Sequence, residues 1–344
     1  MRSVAKVFGI IFLLVSSSSC AFQIGTSFNT NGGSSCFESK YIEESESICC
    51  DDSYHNSSFG GLSKSQNSFV FSLEELRLTG EWLAMDYCQD GCVYNDYFFI
   101  FDSIGQCDVY NLTSYNLVDT FKLPDYLGLV PHSNSACFGS KYCETDSFPL
   151  LYVNLYNNYP FDESTFGMCV VYRITYDGHF SCEIVQAIKI GFTSNSELWI
   201  GGHHGSSPYG NFLIENDYLW VYLSDYDSLS TRFFKFKLPP INVSNNSTYL
   251  TLDKNDIVLY FDTIFFDHIQ GGTIYNGVLY SLEGLGSEDS PAVMRAVFLK
   301  TQKVLSLSLN NLLGQIEPEC IALYDDSFLI TEHRGRVFCL KTAQ

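Results

Sequence analysis

Positive charge is scarce in this chain. Nineteen Lys and Arg stand against 39 Asp and Glu, a formal net charge of −20 at pH 7, with a pI near 4.5. A surface of that sign excludes a polyanion partner such as nucleic acid, because phosphate contacts need basic side chains. The plainest use of the acidity is solubility. Long apolar runs are also missing after the first twenty-odd residues, so no transmembrane helix is expected. The sequence has no Gly-x-Ser-x-Gly elbow, no His-Glu-x-x-His pair and no phosphate-cradling glycine loop ahead of a helix. No residue is therefore assigned a catalytic role from a motif.

Aromatic residues are abundant, with 23 Tyr and 28 Phe. They fall in short runs bounded by Gly, Asn, Asp and Ser, a pattern of strands rather than helices. Asp267-His268-Ile269-Gln270-Gly271-Gly272-Thr273-Ile274-Tyr275-Asn276-Gly277-Val278-Leu279-Tyr280 is the clearest unit: polar head, strand, turn, strand. It returns from Gln89 to Phe99 and from Glu319 to Leu329. With Tyr94, Tyr275 and Tyr324 superimposed, Gln89, Gln270 and Glu319 coincide. A hairpin repeated with a polar residue at the head of its first strand predicts an all-β fold, a β-propeller. His132 follows Gln89 by 43 residues and Glu319 follows Gln270 by 49, within the ~40–50 residues of a blade. Five blades are counted, and a sixth around 194–204 is the alternative. Phe69–Leu73 is expected to close the ring against the last blade, since an open ring leaves an exposed edge.

Residues 1–21 read as a signal peptide, with Arg2 and Lys6, an apolar stretch from Val7 to Val15, and small residues to Ala21. Secretion is the first expectation. The alternative is a surface lipoprotein anchored through Cys20. Residues 22–68, rich in Ser and Asn, read as a linker or arm, and 69–344 as the propeller domain. Removing Cys20 from 13 cysteines leaves an even 12, which in an exported chain predicts disulfides rather than zinc-thiolate chemistry. Sequons at Asn56, Asn111, Asn242, Asn245 and Asn246 predict a glycoprotein if the source cell glycosylates.

Inner strands of a propeller begin near the axis. Gln89, His132, Asn134, His268, Gln270, Glu317 and Glu319 are therefore the candidate ligand-binding residues of one channel mouth. Glu317, Glu319 and Gln270 are hard oxygen donors suited to calcium, while the histidines suit a transition metal or proton transfer. These groups can equally satisfy one another and ordered water. Gly202-His203-His204-Gly205 reads as a surface loop.

The paired glycines, the Asn-Gly hairpins and Glu317-Pro318-Glu319, with Pro131-His132-Ser133-Asn134 and Phe148-Pro149-Leu150-Leu151-Tyr152-Val153, resemble exported bacterial β-propellers of uncharacterised function. Glu-Pro-Glu at a strand head is more loosely similar to lactonase-type and phytase-like esterase propellers that hold calcium centrally. The resemblance spans about Gln89 to Leu340. Cys320 stands where that pattern has glycine. Three functions follow as expectations. One is a secreted binding module for a small molecule or an extracellular protein or glycan. The second is a calcium-type lactonase or esterase with His132 or His268 as general base. The third is a disulfide-rich surface component whose central residues are structural.

Overall fold

The computed structural model describes residues 21–24, 40–45, 70–78, 87–143, 146–155, 165–193, 197–199, 210–241 and 249–342. Its 23 strands begin with β1 (Ala21–Ile24), β2 (Lys40–Ser45) and β3 (Val70–Leu76). Blade 1 follows as β4 (Cys88–Tyr94), β5 (Tyr97–Asp102), β6 (Gln106–Asn111) and β7 (Asn116–Lys122). Blade 2 holds β8 (Ala136–Phe138), β9 (Leu151–Asn154), β10 (Met168–Tyr176) and β11 (Phe180–Ile190). Blade 3 holds β12 (Asn211–Glu215), β13 (Tyr218–Asp225) and β14 (Ser230–Lys237). The chain then adds β15 (Tyr249–Leu252) in parallel to β11 of blade 2, before β16 (Ile257–Ile264) completes blade 3. Blade 4 is β17 (Ile269–Tyr275), β18 (Val278–Glu283), β19 (Val293–Phe298) and β20 (Lys303–Ser308). Blade 5 is β21 (Pro318–Tyr324), β22 (Ser327–Glu332), β23 (Val337–Thr342) and, paired antiparallel to β23, β3 from the beginning of the chain. The protein is a five-bladed propeller closed as the sequence predicted. The sixth-blade stretch lies mostly outside the described residues, which form five sheets. β2 pairs with β3 and β1 with β2; the remainder of 22–68 and residues 1–20 lie outside the described residues.

The local causes are visible blade by blade. In four blades the first hairpin turns on a residue in the left-handed region: Asn95 at φ 51°, Asn216 at 54°, Asn276 at 51° and Asp325 at 51°. Two-residue hairpin turns that match strand twist need positive φ, which Asn and Asp tolerate better than other non-glycine residues. Second strands are buried on both faces. Phe98, Phe99, Ile100 and Phe101 of β5 are fully buried, so the strand is a continuous apolar run rather than an alternating one.

Each of the five seams between blades has its own apolar core. Phe99 lies in the seam of blades 1 and 2, with ring centroids 5.1 Å from Phe138 and 5.3 Å from Phe180. Tyr222, Phe233 and Phe261 stack at 5.3 and 5.1 Å in the seam of blades 3 and 4. Burying one such ring stabilises the fold by about 1.5–3 kcal/mol. Trp199 and Trp220 are both buried, so these indoles pack between blades and form no exposed platform; Trp82 lies outside the described residues.

The disulfide expectation is corrected. All nine described cysteines are free thiols. Seven of them are buried, where a thiol packs as a small apolar group. Burial pushes Cys88, Cys92, Cys107, Cys169 and Cys320 well above the usual thiol range, and Cys137 up to about 12. Cys36, Cys49 and Cys50 lie outside the described residues. Among the sequons only Asn111 is described, at a turn where its Oδ1 accepts from the Thr113 and Ser114 amides. No helix among the described residues is long and apolar enough to cross a membrane.

Candidate functional site

The inner strands β4, β8, β12, β17 and β21 line the channel, and their heads meet at one mouth. Aligned on their hairpins, the heads are Gln89, Asn134, Gly210, Gln270 and Glu319. The next residues are Asp90, Ser135, Asn211, Gly271 and Cys320. This second ring was missed by the sequence reading, and it ties the blades together. The Ala136 amide of blade 2 donates to Asp90 Oδ2 at 2.9 Å. The Ser135 hydroxyl accepts from the Phe212 amide and donates to the Phe212 carbonyl of blade 3, each at 2.9 Å. Asn211 Nδ2 donates to the Gln270 carbonyl of blade 4 at 2.7 Å. The Cys320 thiol donates to the Gly91 carbonyl of blade 1 at 3.3 Å. Four of the five seams thus carry a bond from one side chain to the next inner strand.

Gly271 is the exception because Asp90 occupies its place. A Cβ on Gly271 would overlap Asp90 Oδ1 and the Glu319 carbonyl, and would stand 2.8 Å from Asp90 Cγ. Asp90 therefore reaches across the channel from blade 1 toward the seam of blades 4 and 5. It is 1% exposed, and besides the Ala136 amide on Oδ2 the Gly91 and Gly272 amides and the Cys320 thiol act on its carboxyl. The paired glycine that marks the repeat in sequence is the signal of this close approach. β4, β17 and β21 each carry a register shift at the head, and such bulges re-aim side chains.

The candidate residues separate into two groups. Gln270 Nε2 donates to Glu317 Oε1 at 3.1 Å, joining blades 4 and 5. Asn134 Nδ2 reaches the Ile269 carbonyl at 3.5 Å, from blade 2 to blade 4. Glu319 is 4% exposed. Burial pushes its carboxyl well above the usual range, and the neighbouring Glu317, Asp90 and Glu332 carboxylates push it further. Burial raises Asp90 likewise, against several hydrogen-bond donors that lower it.

The other group faces elsewhere. Gln89 Nε2 turns back to the Cys88 carbonyl at 3.1 Å. His132 is hydrogen-bonded to the Ser103 backbone, and burial lowers its imidazole to about 4. His268, at φ 47°, pairs through Nδ1 with Asp267 Oδ1 at 2.8 Å. Its amide donates to the Tyr226 hydroxyl at 2.9 Å, and that hydroxyl donates to Asp267 at 3.1 Å. His203 and His204 lie outside the described residues.

Beyond Asp90 the channel opens into a cavity of about 180 Å³, lined by apolar side chains, strand backbone and the Cys92 and Cys137 thiols.

No family model matches the chain, and no curated protein matches it in sequence. Among solved structures, glutaminyl cyclase of Myxococcus xanthus is similar at 12% identity with a TM-score of 0.43, over 79% of this chain and 97% of that one. Virginiamycin B lyase of Staphylococcus aureus is similar at 12% and 0.39, over 79% and 99%. BamB of Moraxella catarrhalis is similar at 8% and 0.30, over 80% and 81%. None of these likenesses carries chemistry to this chain.

Proposed function

We propose that this chain is an exported ligand-binding module whose site is the channel mouth. The observation that supports it is the Glu319 carboxyl, buried among Glu317, Asp90 and Glu332 with no cation acting on it. Leaving a carboxyl in such a place costs stability unless a partner compensates it. Asn134, Gln270 and Glu317 supply hydrogen-bonding groups at the same mouth. The ligand is a small molecule, or a projecting group of an extracellular protein or glycan. A thermal-shift panel of sugars, amines, amino acids and calcium salts tests this. At least one class should raise the melting temperature, and Glu319→Gln should weaken that shift while the protein stays folded. A panel without effect overturns the reading.

Hydrolysis of an ester or lactone is the second reading, favoured by the Asp267–His268 pair. A carboxylate on Nδ1 fixes the tautomer and leaves Nε2 free to accept a proton. Calcium takes about 6–8 oxygen ligands. Glu317, Glu319 and Gln270 offer too few, and the Gln270 nitrogen is already turned to Glu317. Among the described residues no group of three or more His, Cys, Asp or Glu side chains is placed to hold a metal. The residues present do not fit a calcium cage, and no step is drawn through one. Turnover of simple esters that is lost in His268→Gln would support this reading over the first.

A further inference from the structure

We infer that the end of the channel remote from the mouth is a second binding site, which takes a small molecule carrying a primary carboxamide. This does not rest on the channel-mouth reading.

The site is the cavity of about 180 Å³ beyond Asp90, to which all five inner strands contribute. The ladders decide which groups face it, because peptide groups of successive residues in a strand point to opposite sides. In blade 1 the Leu112 amide donates to the Asp96 carbonyl at 2.8 Å. That turns the peptide groups of Phe98 to β6 and leaves Val93, opposite Phe98, pointing away from β5. The Leu238–Asp217 and Leu299–Gly277 bonds, at 2.8 and 3.0 Å, do the same for Ile214 and Ile274. In blade 2 the Gly139 amide donates to the Leu150 carbonyl at 2.8 Å, so Phe138 beside it points away from β9. β4, β8, β12 and β17 are the inner edges of their sheets. The N–H and C=O groups of Val93, Phe138, Ile214 and Ile274 are therefore directed to the cavity that these residues line.

The preceding blade determines which of these groups stay available. The Cys92 sulfur accepts from the Phe138 amide, and the Cys137 sulfur from the Ile214 amide. In the same place on blades 3 and 5 stand Leu213 and Ala322, which have no polar atom to offer Ile274 and Val93. Among the described residues neither of these two amides has a backbone partner outside its own sheet. The cavity thus presents donors from blades 1 and 4, and from blades 2 and 3 carbonyls whose amides are already used. A primary carboxamide has the complementary set, an oxygen that accepts two bonds and a nitrogen that donates two. A carboxylate lacks the donors and meets the field of a chain at −20. An ammonium has no acceptor for the two amides. The Leu213, Ile214 and Leu323 side chains supply apolar wall for a short hydrocarbon tail.

Saturation-transfer NMR of the full chain with propionamide, propionate, propylammonium and 1-propanol is the test. Propionamide should bind, and the other three at least fivefold more weakly. Ala322→Ser offers the Val93 amide a hydroxyl as Cys92 offers the Phe138 amide a sulfur, and should weaken propionamide at least threefold. Leu213→Thr does the same for the Ile274 amide, and serves should the first variant not fold. No binding of propionamide, or equal binding of all four probes, overturns the inference and leaves the channel-mouth reading standing. So does propionamide binding that neither variant weakens. Binding lost in Glu319→Gln but kept in both variants would put the amide at the mouth, and overturns it too.

Discussion

Asp90 fills the space that a side chain on Gly271 would need, although the two residues sit on blades that are not neighbours. Their packing closes the propeller axis just inside the mouth. Gly271→Ala should therefore force Asp90 or the Glu319 carbonyl to move, at a cost of about 1–3 kcal/mol, the range for overpacking a filled site. Urea unfolding checks this. A wild-type midpoint would show that Asp90 does not occupy the axis.

The tie between blades 2 and 3 is open to a similar experiment. Ser135→Ala removes the group that satisfies the Phe212 amide. An amide left unpaired in a buried seam costs about 1–3 kcal/mol. Ser135→Thr, which retains the hydroxyl, should recover part of that loss if the added methyl is accommodated.

The pH dependence of stability has two opposed limbs. Asp90 and Glu319 hold protons in the folded chain that the unfolded chain loses above about pH 4–5. Their contribution is fully present below that range and is lost as pH rises. His132, lowered from 6.5 to about 4, contributes stability above pH 6.5 that is lost as pH falls toward 4. The two effects overlap between about pH 4.5 and 6.5, where two carboxyls oppose one imidazole, so the melting temperature should fall as pH rises from there. Glu319→Gln should lessen that fall, and His132→Gln, which removes the opposing imidazole, should steepen it between about pH 4.5 and 6.5. An unchanged profile in both variants would rule out this assignment.

Thiol titration distinguishes the observed cysteines from a disulfide framework. The seven buried thiols should react with Ellman's reagent only after guanidinium unfolding, without added reductant. No increase on unfolding would mean they are oxidised.

Much of the architecture was legible because its signals are local. Asn95, Asn216, Asn276 and Asp325 announce their hairpins through a backbone preference that a dipeptide carries. The closing strand was legible because Phe69–Leu73 reads in sequence as a strand with no nearby partner, and Val70–Leu76 takes that place. The parallel return of β15 to blade 2 was not, since four residues from Tyr249 take their place from long-range pairing alone. The site divides the same way. That Gln270 meets Glu317 was legible from their position at strand heads. Asp90 stood beside Gln89 in the same motif, but its meaning depends on Gly271, 181 positions away in sequence. The cysteines misled because an even count describes a pairing pattern only when the thiols face one another across strands.

The last blade joins the two ends of the propeller, with Glu74 on β3 beside Lys341 on β23 across 267 positions of sequence. During synthesis the first strand of the ring must wait, unpaired along that edge, until Val337–Thr342 has been made. Four blades can assemble as they emerge, but the channel mouth cannot take its full shape until the fifth is closed. A chain shortened before Val337 would keep most of its strands and lose its ring.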